Sequence, residues 1–139
     1  MNIDERTDFG QRVIKQLAEE QIIWLTTVGP KGTPMPTPVW FWWDGEAFLI
    51  YSRPNTTKLR NIAQQPLVTL NFNSDFQGHH VTVFTGTAVV DLKALPAKQH
   101  PDYSAKYKDG ITMINMTPDT FSHVFSTAIR ITPTKLRGH

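Results

Sequence analysis

The chain has 139 residues, 40% of them hydrophobic and 19% charged, with a formal net charge of +2. This suits one domain spanning 1–139 with a buried core, and the dispersed basic residues are unlike a nucleic-acid footprint. Cysteine is absent, which excludes disulfides and thiolate metal sites. No apolar run approaches ~18 residues and the start MNIDERTDFGQ is polar and acidic, so a cytoplasmic protein without a membrane partner is expected.

Residues 8–20 read as a helix, because Phe9, Val13 and Leu17 recur every four residues and Asp8 can cap it. Ile22 to Val28 is β-rich, and Gly29-Pro-Lys-Gly32 marks a turn into a second strand, Met35 to Trp43. Pro36 and Pro38 place that strand at an edge or opening of the sheet. Asp44-Gly45 is a tight-turn signal before a third strand, Ala47 to Tyr51. A helix follows over 56–65 and stops at Pro66; Leu67 to Phe72 and Val81 to Val90 are the fourth and fifth strands, with Gly86 a bulge candidate. Pro101 can open a short helix in PDYSAKYK, Thr117-Pro118-Asp119 can start another turn or two, and Phe125 to Thr132 is the sixth strand. The pattern predicts a mainly β fold with flanking helices, a small six-stranded barrel.

The segment Tyr51 to Pro66 holds the clearest chemistry. Arg53, Lys58 and Arg60 lie among Ser52, Asn55, Thr56, Thr57 and Asn61, where a strand gives way to a helix. Free N–H groups, the helix dipole and a basic side chain together suit a phosphate monoester. A capped helix with solvated Lys58 and Arg60 is the competing reading. The run Trp40-Phe41-Trp42-Trp43 puts rings on both faces of a strand. One face can fill a barrel; the other needs cover, which a second subunit would supply, or it walls a planar ligand. No histidine pair has zinc-ligand spacing, and neither a G-x-S-x-G elbow, a Walker loop nor a G-x-G-x-x-G motif is present. Any enzyme built on this chain would leave the hard chemistry to a cofactor.

The strand TPVWFWWDG, the Tyr51-Ser52 strand end, the Arg53–Lys58 turn and the strand QQPLVTLNF together resemble the pyridoxamine 5′-phosphate oxidase-like, FMN-binding split-barrel superfamily. HPDYSAKY and TPDTFSHVFSTAIRITPTKLRG resemble one branch, the flavin/deazaflavin oxidoreductases of class B, some of which use coenzyme F-420 in place of FMN. The resemblance implies a homodimeric six-stranded split barrel with F-420 or FMN in a groove between subunits, moving a hydride to or from a small conjugated substrate. It implies that Tyr51 and Ser52 line the ribityl and ring region, and that Thr56, Thr57 and Lys58 hold the phosphate, with Arg53 and Asn61 nearby. Main-chain groups of Pro38, Val39, Trp40 and Phe41 would meet the ring edge, and Arg130 would approach from the final strand of the partner. Pyridoxamine phosphate oxidases carry basic residues where this chain has Pro36, Phe41 and Thr57, which argues against vitamin-B6 oxidation. The wider superfamily also implies an alternative, a non-catalytic carrier of flavin, haem or tetrapyrrole.

Overall fold

The computed structural model describes residues 1–139. Helix α1 (Asp8–Glu19) is capped by Thr7, whose hydroxyl accepts the Gly10 N–H at 2.9 Å, so Asp8 is a first-turn residue rather than the cap. The buried stripe Val13 and Leu17 is the one its four-residue spacing predicts. Strands β1 (Ile23–Val28) and β2 (Pro34–Val39) form a hairpin in which Trp24, Thr26 and Val28 face Pro38, Pro36 and Pro34. Prolines at alternate positions place all three missing N–H groups on one side, and β2 is an edge strand as expected.

The expected second strand is not continuous. It breaks after Val39 and resumes as β3 (Trp42–Trp43), so the sheet has seven strands rather than six. The break has a local cause. The Phe41 N–H donates to the Tyr107 hydroxyl at 2.8 Å, and its carbonyl accepts from Lys106 Nζ at 3.0 Å, so both backbone groups are taken by a helix and not by a strand.

Gly45 (φ 97°) allows the turn into β4 (Phe48–Ser52), and the Asp44 carboxylate accepts the N–H groups of Glu46 and Ala47. After α2 (Thr57–Gln64) come β5 (Leu67–Asn71) and β6 (Thr82–Val90). A 3-10 turn at Ala97–Gln99 precedes α3 (Pro101–Met113), which is longer than expected, and α4 (Pro118–Val124). The last strand, β7 (Thr127–Gly138), runs past its expected end because Pro133 falls opposite Gly86, where the β6–β7 register slips. That bulge is the one Gly86 suggested.

The sheet is antiparallel, in the order β2-β1-β5-β6-β7-β4-β3. Its two edge strands, β2 and β3, are joined by Trp40 and Phe41 alone, so the sheet has to curl until its edges nearly meet. Two cores result. Phe41, Phe48, Ile50, Leu70, Phe84 and Ile129 fill the inside of the curl, with Val13 and Leu17 of α1. Outside it, Leu49 and Tyr51 of β4 pack against Tyr103, Tyr107, Ile111 and Phe121 of α3 and α4. Strand β4 is therefore buried on both faces.

This second core corrects the expectation that a partner covers the outer aromatic face. Trp40 stacks on Tyr107 with ring centroids 4.6 Å apart, and Trp42 meets His100 edge-on. The cover comes from the chain's own helices, so the aromatic run is no argument for a dimer.

Candidate functional site

The end of β4, the start of α2 and the end of β2 converge on a cavity of about 460 Å³. Pro38, Val39 and Trp40 form one wall, and Tyr103, Ile114, Phe121 and Phe125 form another from the helical side. Trp40 stacks on both Tyr107 and Phe121, with ring centroids 4.6 and 5.6 Å apart. Gly110 lies beneath its indole; a Cβ there would sit 3.2 Å from the ring.

The polar end of the cavity is built from Ser52, Arg53, Thr56 and Lys58. Asn55 adopts φ 61° and turns the chain into α2. Thr56 is the N-cap residue, but its side chain makes no capping bond and lies 3.3 Å from the buried Ser52 hydroxyl. The first helical bond runs from the Arg60 N–H to the Thr56 carbonyl at 3.2 Å, and the N–H groups of Thr57, Lys58 and Leu59 meet no protein acceptor. Helix N-termini left open in this way attract anions.

Two cations lie beside these donors without a carboxylate partner. Lys58 is half-buried, makes no ion pair, and its ammonium is pushed below the usual lysine pKa by burial. Arg53 rests on the Phe125 ring, 5.1 Å from its centroid. No Asp or Glu lines the cavity. Burying part of a cation with no counter-charge is unfavourable, and a bound anion relieves that cost.

The tyrosines of the apolar wall form a contiguous cluster. Tyr51 and Tyr103 meet edge to face at 4.7 Å, and Tyr103 and Tyr107 lie 4.8 Å apart. Burial, with the charge of Asp91 second, pushes the Tyr51 hydroxyl up to about 12, and that hydroxyl donates to the Leu95 carbonyl at 2.6 Å. The buried Tyr103 hydroxyl has no partner.

Eight of the expected residues line this cavity: Pro38, Val39, Trp40, Tyr51, Ser52, Arg53, Thr56 and Lys58. The other four lie elsewhere. Phe41 is in the inner core with its main-chain groups bound to Tyr107 and Lys106, so it does not reach a ring edge. Thr57 is exposed and accepts from Arg60, and Asn61 is buried with its amide donating to Thr27 Oγ1 at 3.0 Å; both line a smaller adjoining cleft. Arg130 pairs with Asp44 at 2.9 Å and Asp91 at 3.4 Å within the same chain. Sequence reading missed Tyr103, Phe121 and Phe125, although Tyr103, Tyr107 and Ile111 carry a four-residue spacing that marks a buried helical stripe.

Comparison with known families then decides the lineage: residues 9–138 match the family described as pyridoxamine 5′-phosphate oxidase. The chain belongs to the pyridoxamine 5′-phosphate oxidase family. Its curled seven-stranded sheet is accordingly the split barrel of that family. Among solved structures the chain is similar to an F-420 reductase (TM-score 0.62, 21% identity, 88% of this chain and 94% of that one). It is similar also to a FAD-binding protein from Mesorhizobium loti (0.65, 14%, 91% and 88%). HutZ, the haem storage protein of Vibrio cholerae, has the same fold (0.64, 16%, 92% and 93%). No curated protein matches the chain. At these identities the likeness shows the fold, and pyridoxamine 5′-phosphate oxidase-like proteins put that fold to more than one use.

No helix is long and apolar enough to cross a membrane, and no cluster of three His, Cys, Asp or Glu residues is placed to hold a metal.

Proposed function

We propose that this protein is a flavin- or deazaflavin-dependent oxidoreductase that binds F-420 or FMN in the Trp40 cavity. One observation carries the reading: three unpartnered N–H groups at the start of α2 stand beside a half-buried, unpaired Lys58 at one end of a carboxylate-free, aromatic-walled cavity. That arrangement suits a phosphate at one end and a planar ring at the other.

The residues fit such a group. Lys58, Arg53 and the first turn of α2 would hold the phosphate, Ser52 and Tyr51 would flank the ribityl chain, and Trp40, Phe121 and Phe125 would bound the ring. When bound, the flavin or deazaflavin supplies the hydride chemistry. The protein's part is positioning and exclusion of water. No carboxylate or imidazole lines the cavity, the Tyr51 proton is engaged with Leu95, and burial raises the Tyr103 hydroxyl well above its usual pKa, so solvent is the proton source in this reading. A homodimer is part of the proposal. Leu67, Val89 and Leu92 are exposed apolar side chains on and beside β5 and β6, available to a second copy.

Titration of FMN and F-420 into wild type and Lys58→Ala tests the site. Removing a charge-assisted bond to the phosphate costs roughly 1.5–3 kcal/mol, about ten- to a hundredfold in Kd. Unchanged affinity for both cofactors rejects the assignment. Reduced cofactor oxidised by quinones or enones identifies an enzyme; tight binding without electron transfer identifies a carrier.

A further inference from the structure

A second cavity, of about 420 Å³, is enclosed by helical elements alone: the 3-10 turn at Ala97–Gln99, α3 and α4. Small-molecule sites typically span about 300–1,000 Å³. Its apolar floor is Ala97, Ile111 and Phe121, all buried, and the short side chains of Ala97 and Ala105 leave the hollow open. The walls are tied together by polar bonds. Ser104 Oγ donates to the Ala97 carbonyl at 2.7 Å, and the Lys98 N–H donates to Ser122 Oγ at 3.4 Å, so the turn is fastened to both helices. Phe121 also lines the Trp40 cavity, and no other residue belongs to both.

The charge around this hollow has one sign. Lys98 enters from the turn and Lys108 from α3, while no Asp or Glu lines the cavity. Lys108 makes no ion pair. Lys98 meets Asp119 at 3.3 Å, but the Asp119 side chain is 82% exposed, and pairs of that kind hold weakly. Asp102 and Asp109, the remaining carboxylates of α3, pair with neither lysine. An apolar ligand would leave both ammonium groups unused, and a cationic one would be repelled. A bare anion would leave the floor wet. An anionic head on an apolar body satisfies both parts.

We propose that this hollow is a second ligand site, for a small carboxylate with an apolar body. The acid group sits between Lys98 and Lys108, and the body lies on Ala97, Ile111 and Phe121. This site is independent of the cofactor reading above.

The test is calorimetric titration of the full-length protein with octanoate and with octylammonium, which share a tail and differ in the sign of the head. Octanoate is expected to bind saturably and about tenfold more tightly, the combined effect of two weak attractions in one ligand and two weak repulsions in the other. Lys108→Glu removes most of that preference. Ala105→Trp fills the hollow and abolishes octanoate binding; Lys108→Glu, at an exposed position, decides the matter alone if the tryptophan prevents folding. Lys58→Ala, in the Trp40 cavity, leaves octanoate binding as it is. Absence of saturable binding overturns the proposal, as do equal affinities for the two amphiphiles. So does octanoate binding that is lost in Lys58→Ala and unchanged in Lys108→Glu, because the ligand then occupies the Trp40 cavity.

Discussion

The Tyr107 hydroxyl sits between the two backbone groups of Phe41, accepting the N–H at 2.8 Å and lying 3.0 Å from the carbonyl oxygen. This arrangement ends β2, turns the chain into β3 and docks α3 on the barrel. Tyr107→Phe removes the partner of a buried N–H, which costs about 1–3 kcal/mol. Urea denaturation measures it, and a loss well below that range shows that water replaces the phenol.

Lys106 gives stability a defined response to alkali. Burial pushes its ammonium down to about 8, although nearby Glu20 opposes the shift. A base whose folded pKa is depressed holds fewer protons folded than unfolded, so stability rises with pH from about 8 towards the unfolded value near 10.5. Lys106→Met flattens that rise. Above about pH 10 the direction reverses, because burial raises Tyr51, Tyr103 and Tyr107 and the unfolded chain loses those protons first. Melting temperatures between pH 7 and 11 show a maximum if both effects operate.

The two helix caps differ in what they contribute. Thr7 makes a capping bond, so Thr7→Ala costs about 1 kcal/mol. Thr56 makes none, and Thr56→Ala costs only a few tenths by the same comparison. Saturating phosphate-bearing cofactor at a hundred times its Kd stabilises the protein by about 2.7 kcal/mol, because the ligand binds only the folded chain. Paired thermal melts with and without cofactor check all three values.

Asn61 and Arg130 separate into a structural residue and a surface pair. Asn61→Leu leaves the buried Thr27 hydroxyl without its partner and destabilises by about 1–3 kcal/mol. Arg130→Met breaks two partly exposed ion pairs and costs less than about 1 kcal/mol. If Arg130 also reaches the cofactor of a second copy, the same variant weakens cofactor binding while scarcely moving the melting temperature.

What could be read from the sequence was what neighbouring residues determine together. Alternation gave the cores of six strands, Asp44-Gly45 gave the hairpin, and the stretch from Tyr51 to Lys58 gave the polar end of the cavity because it is continuous in the chain. The rest depended on distant partners. The break at Trp40 and Phe41 arises from Tyr107, 66 positions later, and no local pattern announces it. The sixth strand runs beyond the expected Thr132, because the register of Pro133 opposite Gly86 is visible only once β6 and β7 pair. Asn61 and Arg130 entered the site only through the family resemblance, and no local pattern shows that within one chain they are engaged by Thr27 and by the pair Asp44 and Asp91.

The two residues that join the edges of the sheet face opposite ways. Trp40 is part of the cavity wall, and Phe41 is fully buried in the inner core. The wall cannot shift without disturbing the barrel's interior packing, and close-packed interiors resist such displacement. A flat ring entering this cavity therefore meets a surface already set in position. Binding a planar ring would lose little ordering entropy on that side, which leaves the polar end, with its open helix turn and unpaired lysine, as the part of the cavity whose energy would change most on filling.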